Sequence, residues 1–303
     1  MFKYMFYLIL LSLSLYSDFN TTILDEYHKS LCNILVNSSD NIDNYFIEGG
    51  STGSTTRAEF KTSYAIESER KSEYALRLRL HLSLPKLQKH MRLIFEDTQS
   101  DDLLNDGVTL ENEKKIQNMN YTLKVEISDN MIKQFNTKLL LGTRFRKSFL
   151  HPFLSMKLNR VLINDNLKTV VFHNRFRIFD DLNYEEIASI KRMDTMNNNL
   201  YMIFENIFRY KSDRDNNELI TRLAGRKLLG EKRELSTGMS FYSSFRHGRY
   251  DIVYPEVFTK YYEMFYKNWI YYEVSPSVLW RHEHNYRASL RVMFNLGVVF
   301  RKD

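Results

Sequence analysis

His81 and Ser83 stand two residues apart in the run Leu76-Arg-Leu-Arg-Leu-His-Leu-Ser-Leu84. On a strand that spacing puts an imidazole and a hydroxyl on one face. A hydroxyl beside a histidine is half of a nucleophile-and-base arrangement, but no orienting acid has a fixed place in this stretch. Arg281-His282-Glu283-His284 repeats the spacing with two imidazoles. That is fewer than the three or four protein ligands a zinc ion takes. Two acidic pairs, Asp101-Asp102 and Asp180-Asp181, offer carboxylates that could work with loop histidines on a water molecule. None of these groups carries a flanking signature, and the chain has no Walker loop, dinucleotide-binding glycine pattern, HExxH or paired CxxC. The sequence therefore assigns no catalytic residue, no metal ligand and no cofactor.

A more systematic chemistry is spread along the chain. Arg77, Arg79 and His81 alternate with leucines, and the same habit recurs at Arg92, Glu96, Lys124, Glu126, Arg144, Arg175, Arg177, Glu205, Arg209, Glu273, Arg287 and Arg291. If the apolar residues of each segment share one strand face, these ions share the other. Arg and Glu on adjacent strands can pair and brace an enclosed interior. An excess of arginine would also make such an interior favour small anionic or polar solutes.

The elements that must position these ions are long strands. From Tyr286 to Phe300, Tyr286, Ala288, Leu290, Val292, Phe294, Leu296, Val298 and Phe300 form one row, and Arg287, Ser289, Arg291, Asn295 and Gly297 fall in the other, along with Met293 and Val299. Two arginines within such a strand cannot face hydrocarbon, so the apolar row faces lipid and the polar row faces inward. Similar alternation places strands near 57–68, 72–84, 88–97, 118–129, 132–146, 149–161, 166–178, 182–193, 198–211, 215–228, 232–245, 249–264, 268–281 and 285–301. These lengths suit tilted strands crossing a bilayer, about 9 to 11 residues, better than soluble strands of about five or six. The reading is an all-β, transmembrane, antiparallel up-and-down barrel of 14 strands, or 12 if segments 57–68 and 182–193 are not strands. With both chain ends at one rim, Leu84-Pro85-Lys86-Leu87, Asp129-Asn130, Asn164-Asp165-Asn166, Asn197-Asn198-Asn199, Leu229-Gly230-Glu231 and Lys267-Asn268 become tight turns there. Residues 98–117 become the longest loop at the other rim. Pro276 sits where a ladder hydrogen bond is wanted, which a bulge could accommodate, and Asn206 interrupts an outer row.

Upstream, Lys3 and the apolar run Met5–Leu15 have the order of a signal peptide over 1–17, too short for a membrane helix. Residues 18–56 hold a short amphipathic periplasmic helix, with Ile23, Leu24, Tyr27, Leu31, Ile34 and Leu35 at helical spacing, and then the Gly/Ser/Thr joint 49–55. Residues 57–303 form the barrel domain. The only cysteine, Cys32, excludes an internal disulfide framework. The 43 Lys+Arg against 37 Asp+Glu are dispersed, so nucleic acid is not an expected partner. Tyr254, Phe258, Tyr261, Tyr262, Phe265, Tyr266, Trp269, Tyr271 and Tyr272 are expected to form an aromatic girdle at the membrane interface.

The leader, the alternating strands and the aromatic near the end of the last strand together resemble Gram-negative outer-membrane β-barrel proteins. That resemblance covers about residues 57 to 301 and is one of architecture. It implies residence in the bacterial outer membrane, contact with its lipids, and recognition of the last strand by the barrel-assembly machinery through Phe300, although Arg301-Lys302-Asp303 follow it. It also implies porin-like passage of solutes, or a structural barrel. The competing expectations are an outer-membrane hydrolase, lipase-like through His81 and Ser83 or omptin-like through the acidic pairs, and a soluble exported β-protein.

Overall fold

The computed structural model describes residues 21–46, 56–68, 70–83, 91–97, 121–128, 136–146, 149–212, 217–246 and 249–301. The leader 1–17, the joint 49–55, the loop 98–117 and the pair Asp101-Asp102 lie outside the described residues. Helix α1 (Thr21–Phe46) is followed by fourteen strands. These are β1 (Arg57–Glu67), β2 (Arg70–Ser83), β3 (Met91–Asp97), β4 (Tyr121–Ser128), β5 (Asn136–Arg146), β6 (Phe149–Asn164) and β7 (Lys168–Phe179). The series continues with β8 (Tyr184–Asn197), β9 (Leu200–Lys211), β10 (Asn217–Leu228), β11 (Arg233–Arg246), β12 (Arg249–Tyr266), β13 (Ile270–Trp280) and β14 (Ala288–Arg301). Each strand pairs antiparallel with its sequence neighbours, and β1 pairs with β14 from Arg57↔Arg301 to Glu67↔Arg291. The sheet is a closed barrel of fourteen strands, so the twelve-strand option is excluded.

The two doubtful segments are strands for identifiable reasons. β1 supplies the ladder that closes the sheet on β14. β8 turns Ile187 inward, where it is fully buried, and Ile190 outward, where it is exposed. Turn chemistry holds the hairpins. Asp165 accepts from the amides of Leu167 at 2.9 Å and Lys168 at 2.6 Å, and Asn197 accepts from the Asn199 amide at 3.1 Å. Gly230 takes φ +146°, which an L side chain would resist.

Three local readings change. Pro276 needs no bulge: its partner on β14 is Val292 in unbroken register, and the ladder to β12 is simply interrupted between Phe258↔Ser277 and Tyr261↔Val274. The missing amide of proline is thereby aimed at a gap in one ladder. Asn206 sits on the outer face but accepts a hydrogen bond from Thr221 at 2.7 Å, which offsets its burial against lipid. The turns are also not sorted by length between the two rims. On the rim opposite the chain ends β5 runs to Arg146 with β6 starting at Phe149, and β11 runs to Arg246 with β12 starting at Arg249, so the strands there absorb what reads as loop.

The faces separate as a membrane demands. Phe60, Leu78, Leu123, Leu154, Phe204, Leu223, Phe241, Phe294 and Leu296 are exposed on the outer surface, while ions, amides and hydroxyls of alternate residues are turned inward and many are buried. A water-soluble sheet of this size would not leave so continuous an apolar exterior. For orientation, the rim where β1 starts and β14 ends is called the terminal rim, and the opposite one the far rim.

Candidate functional site

Register carries the inward set. Pairing through the barrel puts Arg77, Arg79 and His81 of β2, Arg92 and Glu96 of β3, Lys124 and Glu126 of β4, and Arg144 of β5 in one phase. Arg175 and Arg177 of β7, Glu205 and Arg209 of β9, Glu273 of β13 and Arg291 of β14 share that phase. Arg287 does not belong. It lies in the connection before β14 and is exposed, because Asn285 and Tyr286 adopt φ 51° and 56°, which ends the pleat.

The densest ion cluster is centred on Glu185 of β8, near the far rim. Its buried carboxylate accepts from Arg209 Nη2 at 2.6 Å and Nε at 2.9 Å, and from Arg175 Nη2 at 3.2 Å. Arg177 stands 3.5 Å away and Lys211 3.8 Å, while Arg209 also reaches Glu218 at 3.7 Å. The Arg177 guanidinium lies 4.6 Å from the Phe153 ring centroid, and Arg144 is equally far from Phe179, so aromatic faces hold part of the charge. A second buried bridge joins opposite ends of the sequence. Arg281 grips Glu67 through Nε at 2.7 Å and Nη2 at 3.0 Å, Ser289 donates to the same carboxylate at 3.2 Å, and the Arg281 guanidinium lies over Tyr254 at 4.8 Å.

Between these clusters an apolar arc crosses the inner wall. Ile187, Ile207, Ile220, Tyr242, Tyr254 and Leu279 are buried together, with the rings of Tyr242 and Tyr254 stacked at 4.1 Å. Inward side chains are buried so completely only where other side chains cover them from the lumen. Farther from the far rim the ions form smaller pairs, in which Glu126 and Arg222 are still buried while Lys138 and Arg79 are partly exposed. Glu126 pairs with Lys138 at 3.0 Å, Glu205 with Arg222 at 3.4 Å, and Glu59 with Arg79 at 3.7 Å. Glu273 takes a hydrogen bond from Asn295 at 2.7 Å.

The nine aromatics do not form one girdle. Tyr261, Phe265 and Tyr272 group on the outside, where both tyrosines donate to Glu263 at 2.8 and 2.7 Å. Tyr254, Phe258, Tyr262 and Tyr271 are in the inward phase, and Tyr266 and Trp269 meet helix α1. Adjacent aromatics, such as Tyr261 with Tyr262 and Tyr271 with Tyr272, must point to opposite faces of a strand.

Among the described residues suggested for hydrolysis, Ser83, His282, His284, Asp180 and Asp181 each make separate contacts. Ser83 is engaged through its backbone oxygen, which accepts from Ser39 at 2.7 Å. His282 packs edge-on against Tyr286, and His284 lies 3.7 Å from Glu283. Asp180 faces His151 at 3.5 Å, while Asp181 is occupied by Asn183. Among the described residues no group of three or more His, Cys, Asp or Glu is arranged to hold a metal.

Sequence reasoning missed Glu185, Lys157, Lys191, Arg222 and Arg226. For Glu185 and Lys191 the signal was present in the parity set by Ile187, but adjacent charges on both faces blurred it. The Glu67–Arg281 bridge had no signal, since the partners are 214 residues apart.

A closed barrel with an apolar exterior, a charged interior and strands of membrane-crossing length defines a transmembrane β-barrel of the Gram-negative outer-membrane class. No family model matches the chain, and no curated protein is similar to it. Solved structures are similar in fold alone. A loop-deletion mutant of OmpT, an outer membrane protein of Vibrio cholerae, is 8% identical with a TM-score of 0.49, over 82% of this chain and 99% of that one. A bacterial polysaccharide outer membrane secretin is 10% identical with a TM-score of 0.46, over 82% and 99%. The outer membrane channel DcaP of Acinetobacter baumannii is 8% identical with a TM-score of 0.44, over 82% and 96%.

Proposed function

We propose that the barrel passes small anionic solutes through a lumen that is positive along one wall. The observation that carries this reading is a charge asymmetry. Among the described residues, inward positions of β5–β10 hold Lys138, Arg144, Lys157, Arg175, Arg177, Lys191, Arg209, Lys211, Arg222 and Arg226 against only Glu185, Glu205 and Glu218. On β11–β14 and β1–β4, by contrast, carboxylates such as Glu59, Glu67, Glu126, Glu234 and Glu273 accompany the cations. A one-signed wall in a confined polar space concentrates ions of opposite sign. Fourteen strands also fall between the eight that side chains just fill and the 16 to 18 that leave a wide aqueous channel, so a narrow path suits the fold.

Reconstitution in planar lipid bilayers tests this. Discrete conductance steps with a reversal potential favouring chloride are expected, and Lys191→Gln with Arg226→Gln should reduce that preference more than Arg77→Ser with Arg79→Ser. A cation-selective current would overturn the reading. The buried arc from Ile187 to Leu279 supports a second reading, a barrel closed near the far rim whose role is structural, and bilayers that stay silent would favour it. Under either reading we take 1–17 as an export signal, 18–56 as a periplasmic segment, and β14 as the strand met by the assembly machinery.

A further inference from the structure

Helix α1 touches the terminal rim at points whose order matches the order of the strands. Asp25 pairs with Lys267 and accepts from Tyr266 at 3.1 Å, both at the β12–β13 turn. His28 meets the Val299 carbonyl at 2.9 Å and stacks on Trp269 at 4.2 Å and on Phe300, an outward side chain of β14, at 5.4 Å. Ser39 donates to the carbonyl of Ser83 at the end of β2. From Asp25 to Ser39 the helix rises about 21 Å. Three to four strand spacings of about 4.8 Å, widened along the rim by strand tilt, cover about the same distance. The helix therefore runs along the rim, in the plane of the membrane, and crosses the seam where β14 meets β1.

Its circumference divides into three sectors. Asp25, His28, Cys32, Val36 and Ser39 lie on the docked side, and Cys32, Val36 and Ser39 are buried. Glu26, Lys29, Ser30, Asn33 and Asn37 form an exposed polar sector. Between the two lie Ile23, Tyr27, Leu31 and Ile34, exposed by 49%, 68%, 45% and 56%. Most described large apolar side chains this open line the outside of the barrel, as Tyr64, Phe294 and Leu296 do, or sit at turn tips. The stripe continues that outer belt through Phe300, and an amphipathic helix lying in the membrane plane beside interfacial aromatics is suited to the headgroup boundary.

The geometry points to helix α1 as an interfacial strap: it lies across the β14–β1 seam and inserts Ile23, Tyr27, Leu31 and Ile34 into the lipid leaflet at the terminal rim. Lipid is the occupant the arrangement selects. The sheet already presents hydrocarbon-facing residues at the same rim, and the polar sector remains free to face water.

Single nitroxide labels on the folded chain in phosphatidylethanolamine and phosphatidylglycerol vesicles test this, with Cys32→Ser removing the native thiol and heat-modifiable migration verifying each labelled barrel. Labels at 27, 31 and 34 should be relaxed by oxygen several-fold more than by a water-soluble nickel chelate, and labels at 26, 33 and 37 should show the reverse. Equal chelate access at both sets would place the stripe in water. Protection from both relaxants at 27, 31 and 34 would mean it is covered by protein, a second copy or another partner. Either result overturns the proposal.

Discussion

At the scale of single residues, Glu185 and Gly297 show how much the interior depends on atoms that no motif marks. Glu185 is surrounded by Arg175, Arg177, Arg209 and Lys211, so Glu185→Ala leaves like charges facing one another in a buried place. The expected loss is about 3–5 kcal/mol, read as a lower urea midpoint in lipid vesicles. Gly297 acts through absence. The Tyr271 ring lies flat across it, where a Cβ would collide with the ring, and its hydroxyl donates to Glu59 at 2.5 Å. One side chain thus spans β13, β14 and β1. Tyr271→Phe should lose only the hydrogen bond to a carboxylate, about 1.5–3 kcal/mol, whereas Gly297→Val should displace the whole Tyr271 ring and destabilise the barrel by more. Comparing the two midpoints checks the ordering.

At the scale of elements, the helix shows where periodicity stops informing. Its extent, Thr21–Phe46, lies within the 18–56 segment read as helix and joint, yet the spacing of Ile23, Tyr27, Leu31 and Ile34 names the apolar face without saying what it touches. The docked face is a more polar one, because rim carbonyls and the Lys267 ammonium reward hydrogen-bonding side chains. Lys267 hydrogen-bonds the Asp25 carboxylate and holds it below the usual Asp range, while the same contact raises the Lys267 ammonium. The contribution of this pair to docking is therefore complete between the ordinary Asp value, about 3.9, and the ordinary Lys value, about 10.4. It is lost as pH falls through the lowered Asp25 value or rises through the raised Lys267 value. In a Trp280→Phe background, Trp269 emission should show an acid step below about pH 4 that is absent when Asp25→Asn is added. The strands follow the same logic. Alternation located them within a few residues, but Pro276 and the paired turns at both rims depend on which neighbour each strand finds.

At the scale of the whole molecule, closure is the decisive event. The β1–β14 ladder does not use helix α1, so a chain lacking residues up to 46 should still show heat-modifiable migration, with a lower unfolding temperature. Removing β1 instead leaves β2 and β14 as open edges in hydrocarbon, and no heat-modifiable form is expected. Parity along each segment, lipid outward and ions inward, was legible because a pleat has period two and a bilayer penalises any exception. The count of strands followed from that parity and from turn residues. Which ions meet, however, is a matter of shear around a closed sheet. Glu67 finds Arg281, and Tyr271 finds Glu59, only when the first and last strands become neighbours, and a one-dimensional pattern holds no record of that circular register. The docked face of the helix arises in the same way, because it crosses the seam that exists only once the chain has closed on itself.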